Sequence, residues 1–180
     1  MASGVSLKTR RMTTCALLCA MNVVLLYVGS IIEVLDLSLA MIASLTCVFA
    51  MIEMGGSYPW MVYAVTGVLS MLLLPAPKTA GLVYVLFMGW YPIVKAYIER
   101  LRRPLAWMVK LIVFNLALAG LWLLSTYVFI AAEPEEGLKV GKAVMFLLAN
   151  GTFVLYDYAL TTLISTYVRV WRKRLRVRLK

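Results

Sequence analysis

Six apolar runs, at about 13 to 32, 37 to 52, 60 to 74, 79 to 97, 105 to 131 and 143 to 168, follow one another with only short breaks of charge, proline or glycine between them. A helix rises about 1.5 Å per residue, so about 20 apolar residues are enough to cross a hydrocarbon layer ~30 Å thick. Within lipid every backbone N–H and C=O must be satisfied by the segment itself or by a closed barrel. Apolar runs this long therefore predict an all-α integral membrane protein with six transmembrane helices, a single transmembrane domain over residues 1–180. The chain is 63% hydrophobic and only 14% charged, well beyond the balance of a soluble domain. No internal repeat and no dividing linker is evident. The second and third runs are short, and the turn between them, Gly55-Gly56-Ser57-Tyr58-Pro59, has only Glu53 beside it. A re-entrant pair is the rival reading there.

The net charge of +10 does not point to nucleic acid, because the basic residues lie between and beyond apolar runs and not on an aromatic-studded polar face. They read as topology signals. Six spans place the amino terminus, the 98 to 104 loop and the carboxyl tail on one side, together with 15 of the 18 Lys and Arg when Lys95 and Lys110 are counted with the ends they adjoin. The positive-inside rule makes that side cytoplasmic, as in a multi-pass protein of the bacterial cytoplasmic membrane. The opposite loops hold Glu33, Asp36, Glu133, Glu135 and Glu136. From Arg169 to Lys180 the tail interleaves cations with aliphatic residues, which suits it to lie against anionic headgroups at about 1 kcal/mol per cation, and a plain stop-transfer anchor is preferred to a specific docking arm.

Several chemistries are excluded by residue type. There is no histidine, so Ser-His nucleophiles, His-ligated metals and haem and His proton relays are all absent. No Walker lysine loop is present, and no cluster of acids suits a metal-dependent phosphotransfer. Cys15, Cys19 and Cys47 lie within apolar runs without metal-ligand spacing and read as small packing residues. No catalytic residue, metal site or cofactor is expected, and the chain is not read as an enzyme. Any energy it uses comes from a partner or a gradient.

The residues that remain are polar groups inside the spans. Asp157 lies near the middle of the last run, where an ionisable group must face the bundle interior or a wet cavity. Asn150, Val154, Asp157 and Thr161 recur at helical spacing, with Tyr156 and Tyr158 flanking the acid. An amide, a carboxylate and a hydroxyl on one stripe can read a polar ligand or bind a cation. They can equally form a structural network in which Asp157 pairs with a neighbouring helix, through Lys110 or a tyrosine. On the fifth run Asn115, Trp122 and Thr126 share a stripe; Trp122 is placed to stack on a ring or to sit in an aromatic belt. On the fourth, Tyr84, Phe87 and Tyr91 share a face, and Pro92 is expected to bend the helix. These residues outline a cavity in the outer half of the bundle, lined by Asp157, Asn150, Tyr156, Trp122, Thr126 and Tyr84. Ordinary aromatic packing is its alternative.

The first run differs in kind. Ala16 and Ala20 form a small-xxx-small pair that lets another helix approach closely, and Cys15 and Cys19 form a second pair beside it. The second run has its own small stripe at Ala40, Ala43, Cys47 and Ala50, so internal packing competes for these faces.

With the six spans, the basic Leu7-Lys8-Thr9-Arg10-Arg11 lead and the Ala16-xxx-Ala20 pair, the chain resembles, over nearly its whole length, the substrate-binding S component of an energy-coupling factor transporter. The stretch Gly89-Trp90-Tyr91-Pro92-Ile93-Val94-Lys95 through Glu99-Arg100 also looks like one seen in uncharacterised members. The resemblance implies capture of a small micronutrient. It also implies that Ala16 and Ala20 meet a transmembrane coupling subunit driven by a pair of ATPase subunits, and that the ligand sits toward the outer face among the last three helices. The chain lacks the amino-terminal metal-binding pattern of the nickel and cobalt members, so a small organic, vitamin-like molecule is expected. Two other classes stay open: a non-transporting membrane scaffold, in which Asp157 is structural, and a cation-coupled small carrier, in which Asp157 titrates.

Overall fold

The computed structural model describes the backbone of residues 2–75, 78–127 and 139–171, and the side chains of 7–32, 34–75, 78–124 and 144–169. The described residues are all-helical, without a strand. The helices are α1 (Ala2–Ile31), α2 (Asp36–Glu53), α3 (Tyr58–Leu73), α4 (Thr79–Ile98), α5 (Arg103–Tyr127) and α6 (Lys139–Thr166), the last continued by a π-helical turn, Tyr167–Trp171. Five of them contain stretches long and apolar enough to cross a membrane, and α3, with 16 residues, is shorter. The acidic Glu133, Glu135 and Glu136 and most of the basic tail lie outside the described residues.

The expected span starting near residue 13 is the inner part of a much longer helix. The lead containing Lys8, Arg10 and Arg11 continues α1 back to Ala2, because Lys and Arg are good helix formers and nothing there breaks the helix. A short 3-10 turn, Glu33–Leu35, links α1 to α2. The α2–α3 turn depends on two glycines, Gly55 and Gly56, at φ +63° and +58°, a region costly for residues with a Cβ. The N–H groups of Met54 and Gly55 both reach back to the Ala50 carbonyl, at 3.0 and 3.1 Å, and close the end of α2.

The irregularity of α4 begins upstream of Pro92. Tyr84–Met88 form a π-helical turn in which the Gly89 N–H donates to the Tyr84 carbonyl at 2.7 Å, and not to Val85 as an α-helix would have it. The Val85 carbonyl is taken up instead by the Tyr63 hydroxyl of α3, at 2.9 Å. Gly89 allows this approach, since a Cβ there would stand 2.6 Å from the Tyr63 ring.

The chain divides into two compact units, one built on residues up to Tyr97 and the other spanning Ile98–Trp171. In the first, α1, α2, α3 and α4 all pack on one another. The small stripe of α2, Ala40, Ala43, Cys47 and Ala50, is wholly buried there and lets its neighbours close in. The second unit is an antiparallel pairing of α5 and α6, whose cross-helix partners run in opposite order along the two helices: Lys110 with Asp157, Phe114 with Phe153 and Asn115 with Asn150.

Candidate functional site

In the second unit Asp157 is buried, at 2% exposure, and so is Lys110, at 5%. Lys110 Nζ donates to Asp157 Oδ2 at 2.8 Å and to Glu99 Oε1 at 3.1 Å, so one ammonium is shared by two carboxylates. The same Nζ lies 5.4 Å from the centre of the Trp107 ring, within cation–π range. Lys110 suits this place because its long stem stays within the apolar layer while its three donors reach separate acceptors. Lys110 stands about two turns into α5, so the ion cluster lies toward the Arg103 end of the pair.

About one and a half turns further along α5, Asn115 faces Asn150 of α6 in a reciprocal pair, at 3.2 and 3.4 Å. Each amide also donates to the carbonyl one turn back in its own helix, Leu111 at 2.8 Å and Phe146 at 2.9 Å. Both donors of each side chain are thereby engaged, and acceptor capacity alone remains. Between the two polar levels Phe114 and Phe153 stack, with centroids 4.5 Å apart and planes 10° off parallel.

Three of the residues expected to line one cavity have partners within their own units: Asp157, Asn150 and Tyr84. Asp157 bonds Lys110 and Asn150 bonds Asn115. Tyr156 is buried and Trp122 is 60% exposed. The Thr126 side chain lies outside the described residues. Tyr84 belongs to the first unit, where its hydroxyl lies 3.4 Å from Cys47 Sγ. The stripe on α6 is also turned slightly from the expected one: Phe153, Tyr156, Asp157 and Leu160 are buried, while Val154 and Thr161 are exposed. A 3.6-residue period admits both choices, and the bulk of Phe153 and Leu160 selects this one.

The first unit holds a polar cluster that the sequence reading passed over. Asn22 of α1 donates to Thr46 Oγ1 of α2 at 2.7 Å and lies 3.4 Å from Thr66 Oγ1 of α3. All three are buried, as are Cys47 and Tyr84 next along α2 and on α4. The signal was the one that singled out Asp157: Asn22 is the strongly polar residue in the middle of the first apolar run. Glu53, at the end of α2, and Lys95, near the end of α4, are each 1% exposed, although both fall at the ends of apolar runs where sequence suggests a solvated charge.

The two small pairs of α1 separate cleanly. Cys15 and Cys19 are buried, with Cys15 Sγ 3.7 Å from Met54 Sδ and Cys19 Sγ 3.8 Å from the Val62 carbonyl. Ala16 and Ala20 lie on the exposed side with Leu17, Met21 and Val24.

Compared with family models, curated proteins and solved structures, the chain matches none of them.

Chemically, the described residues offer hydrogen bonding and ion pairing within helical walls. They include no group of three or more Cys, Asp or Glu able to hold a metal ion.

Proposed function

We propose that the chain is a multi-pass protein of the bacterial cytoplasmic membrane, with both termini inside, and that it serves as the substrate-binding component of an ATP-driven uptake transporter of the energy-coupling factor kind, for a small organic, vitamin-like molecule. The observation that carries this reading is the division of α1, whose Cys15, Cys19, Asn22 and Leu26 are buried while Ala16 and Ala20 remain exposed. A small-residue pair left on an outward apolar face lets a helix of another subunit come close enough for backbone packing. Such a chain without a nucleotide-binding loop depends on partners for energy, which a coupling subunit and a pair of ATPases would supply. The ligand site is proposed within the second unit, around Asp157, Asn150, Tyr156, Trp122 and Thr126. In this reading Lys110 fixes the carboxylate of Asp157 and the exposed Trp122 meets the ligand.

The test is capture of partners by the full chain from its native membrane. Ala16→Trp and Ala20→Trp are expected to abolish recovery of the coupling subunit and the ATPases and to reduce uptake to background, at unchanged expression and thermal stability. Partner recovery and uptake at wild-type levels in both variants would remove the reading.

One observation favours a second reading, a non-transporting scaffold: Asp157 is already engaged by Lys110, as a structural ion pair requires. A scaffold would show neither co-purifying ATPases nor stabilisation by any small molecule.

A further inference from the structure

We infer that the start of α5 is a binding site for an anionic phospholipid, with the headgroup held by Arg102 and Arg103 and an acyl chain lying along the exposed stripe of the same helix. The inference rests only on the membrane-spanning part of the function proposed above, and not on transport.

Among the described residues no acid pairs with Arg102 or Arg103. Residues 100 to 105, Arg-Leu-Arg-Arg-Pro-Leu, are all exposed. The acid beside them, Glu99, engages Lys110 through Oε1 at 3.1 Å. The first turn of α5 contains no acidic residue, and a helix start carries partial positive charge of its own. Two adjacent guanidinium groups suit a phosphate chemically, because its oxygens accept paired guanidinium hydrogen bonds.

The same segment is apolar on the side that leads into the span. Leu105, Met108, Ile112 and Leu116 recur at three- and four-residue spacing and are all exposed, Met108 at 61% and Leu116 at 67%. A cationic head joined to a continuous apolar stripe about 16 Å long matches a phospholipid in both of its parts. An acidic soluble protein would complement the arginines but would leave that stripe uncovered, which is why the lipid is the occupant assigned. Ala106, buried between Leu105 and the exposed Trp107, fixes which side of the helix the stripe occupies.

The test uses the full chain in nanodiscs, with Trp107 kept as the reporter and the other four of its five tryptophans replaced by phenylalanine. Brominated phosphatidylglycerol and brominated phosphatidylcholine are compared as quenchers. The expected result is a preference for phosphatidylglycerol on the order of tenfold, weakening as salt is raised. In R102Q/R103Q the preference should fall to near parity, while R102K/R103K should keep most of it. Equal quenching by the two lipids in the wild type, or a preference that survives R102Q/R103Q, would overturn the proposal. So would abolition of the preference by inorganic phosphate or glycerol phosphate, which would mark a site for free anions. Failure of the chain to enter nanodiscs would remove the proposal together with the membrane reading. Loss of partner capture would strike only the transport role.

Discussion

At the scale of single residues, the shared ammonium of Lys110 is the arrangement on which most depends. Removing two charges from water costs several kcal/mol for each ion, and their attraction offsets this only when geometry is good and further hydrogen bonds are made. Both conditions hold here, with Asp157 at 2.8 Å and Glu99 at 3.1 Å. Lys110→Met leaves the buried Asp157 without its ammonium and should destabilise the chain by about 3 to 5 kcal/mol, whereas Asp157→Leu leaves Lys110 the part-exposed Glu99 and should cost less. The double variant Asp157→Leu/Lys110→Met should lose clearly less than the sum of the two, because it buries no lone charge. Chemical denaturation in detergent micelles measures this, and additive losses would show that the pair is not coupled. That Asp157 needs a partner was legible from its position in the middle of an apolar run, and Lys110 was one of the candidates; Glu99 was not, because a residue after the end of such a run reads as solvated.

At the scale of helices, glycine separates tight contacts from open faces. A Cβ at Gly89 would meet the Tyr63 and Tyr84 rings at 2.6 and 2.9 Å, whereas nothing lies within 4 Å of one at Gly120 or Gly151. Gly89→Ala is expected to lower stability by about 1 to 3 kcal/mol through overpacking against α3 and the π-helical turn. Gly120→Ala and Gly151→Ala should be neutral or stabilising by up to about 1 kcal/mol, since alanine is the better helix former. Thermal melts of the three variants decide the matter, and a Gly89→Ala variant as stable as the wild type would contradict the packing described for α4. The Asn22, Thr46 and Thr66 cluster is the polar counterpart of these contacts. Asn22→Leu should cost about 0.6 to 2 kcal/mol, the range for hydrogen bonds between membrane helices, with a loss of uniqueness in α1 packing that broadens the melting transition. An unchanged transition would mean that the cluster does not hold α1, α2 and α3 together.

At the scale of the molecule, the two units differ in how far their helices cover one another. The first four helices bury one another's small and polar faces, while α5 has few buried residues along its span. An exposed apolar helix in a membrane is satisfied by lipid or by a partner subunit, so the proposed arrangement depends on which way the chain is threaded. Single cysteines introduced on a background lacking Cys15, Cys19 and Cys47 test the orientation. Residues 8 and 102 should be labelled only from the cytoplasm and residue 136 only from outside. Labelling of residue 136 from the cytoplasmic side would overturn the six-span arrangement with both termini inside.

The sequence by itself determined the helical class and the positions of the helices, because apolar runs of spanning length leave the backbone no other way to satisfy its hydrogen bonds. It also marked Asp157, Ala16 and Ala20 as residues needing an account, since an acid in lipid and a small-residue pair are physically conspicuous wherever they fall. Only the tertiary structure decided that Asp157 meets Lys110 and that Ala16 and Ala20 stay exposed. Hydropathy is a property of one segment, and it says nothing about which side of a helix meets a neighbour. The long side chains of Glu99 and Lys110 can reach in several directions, and packing selects one. The same holds for the burial of Glu53 and Lys95, for the π-helical turn at Tyr84 and for the choice between Cys15 and Ala16 on α1: each depends on atoms that are distant in sequence and become neighbours only when the helices pack.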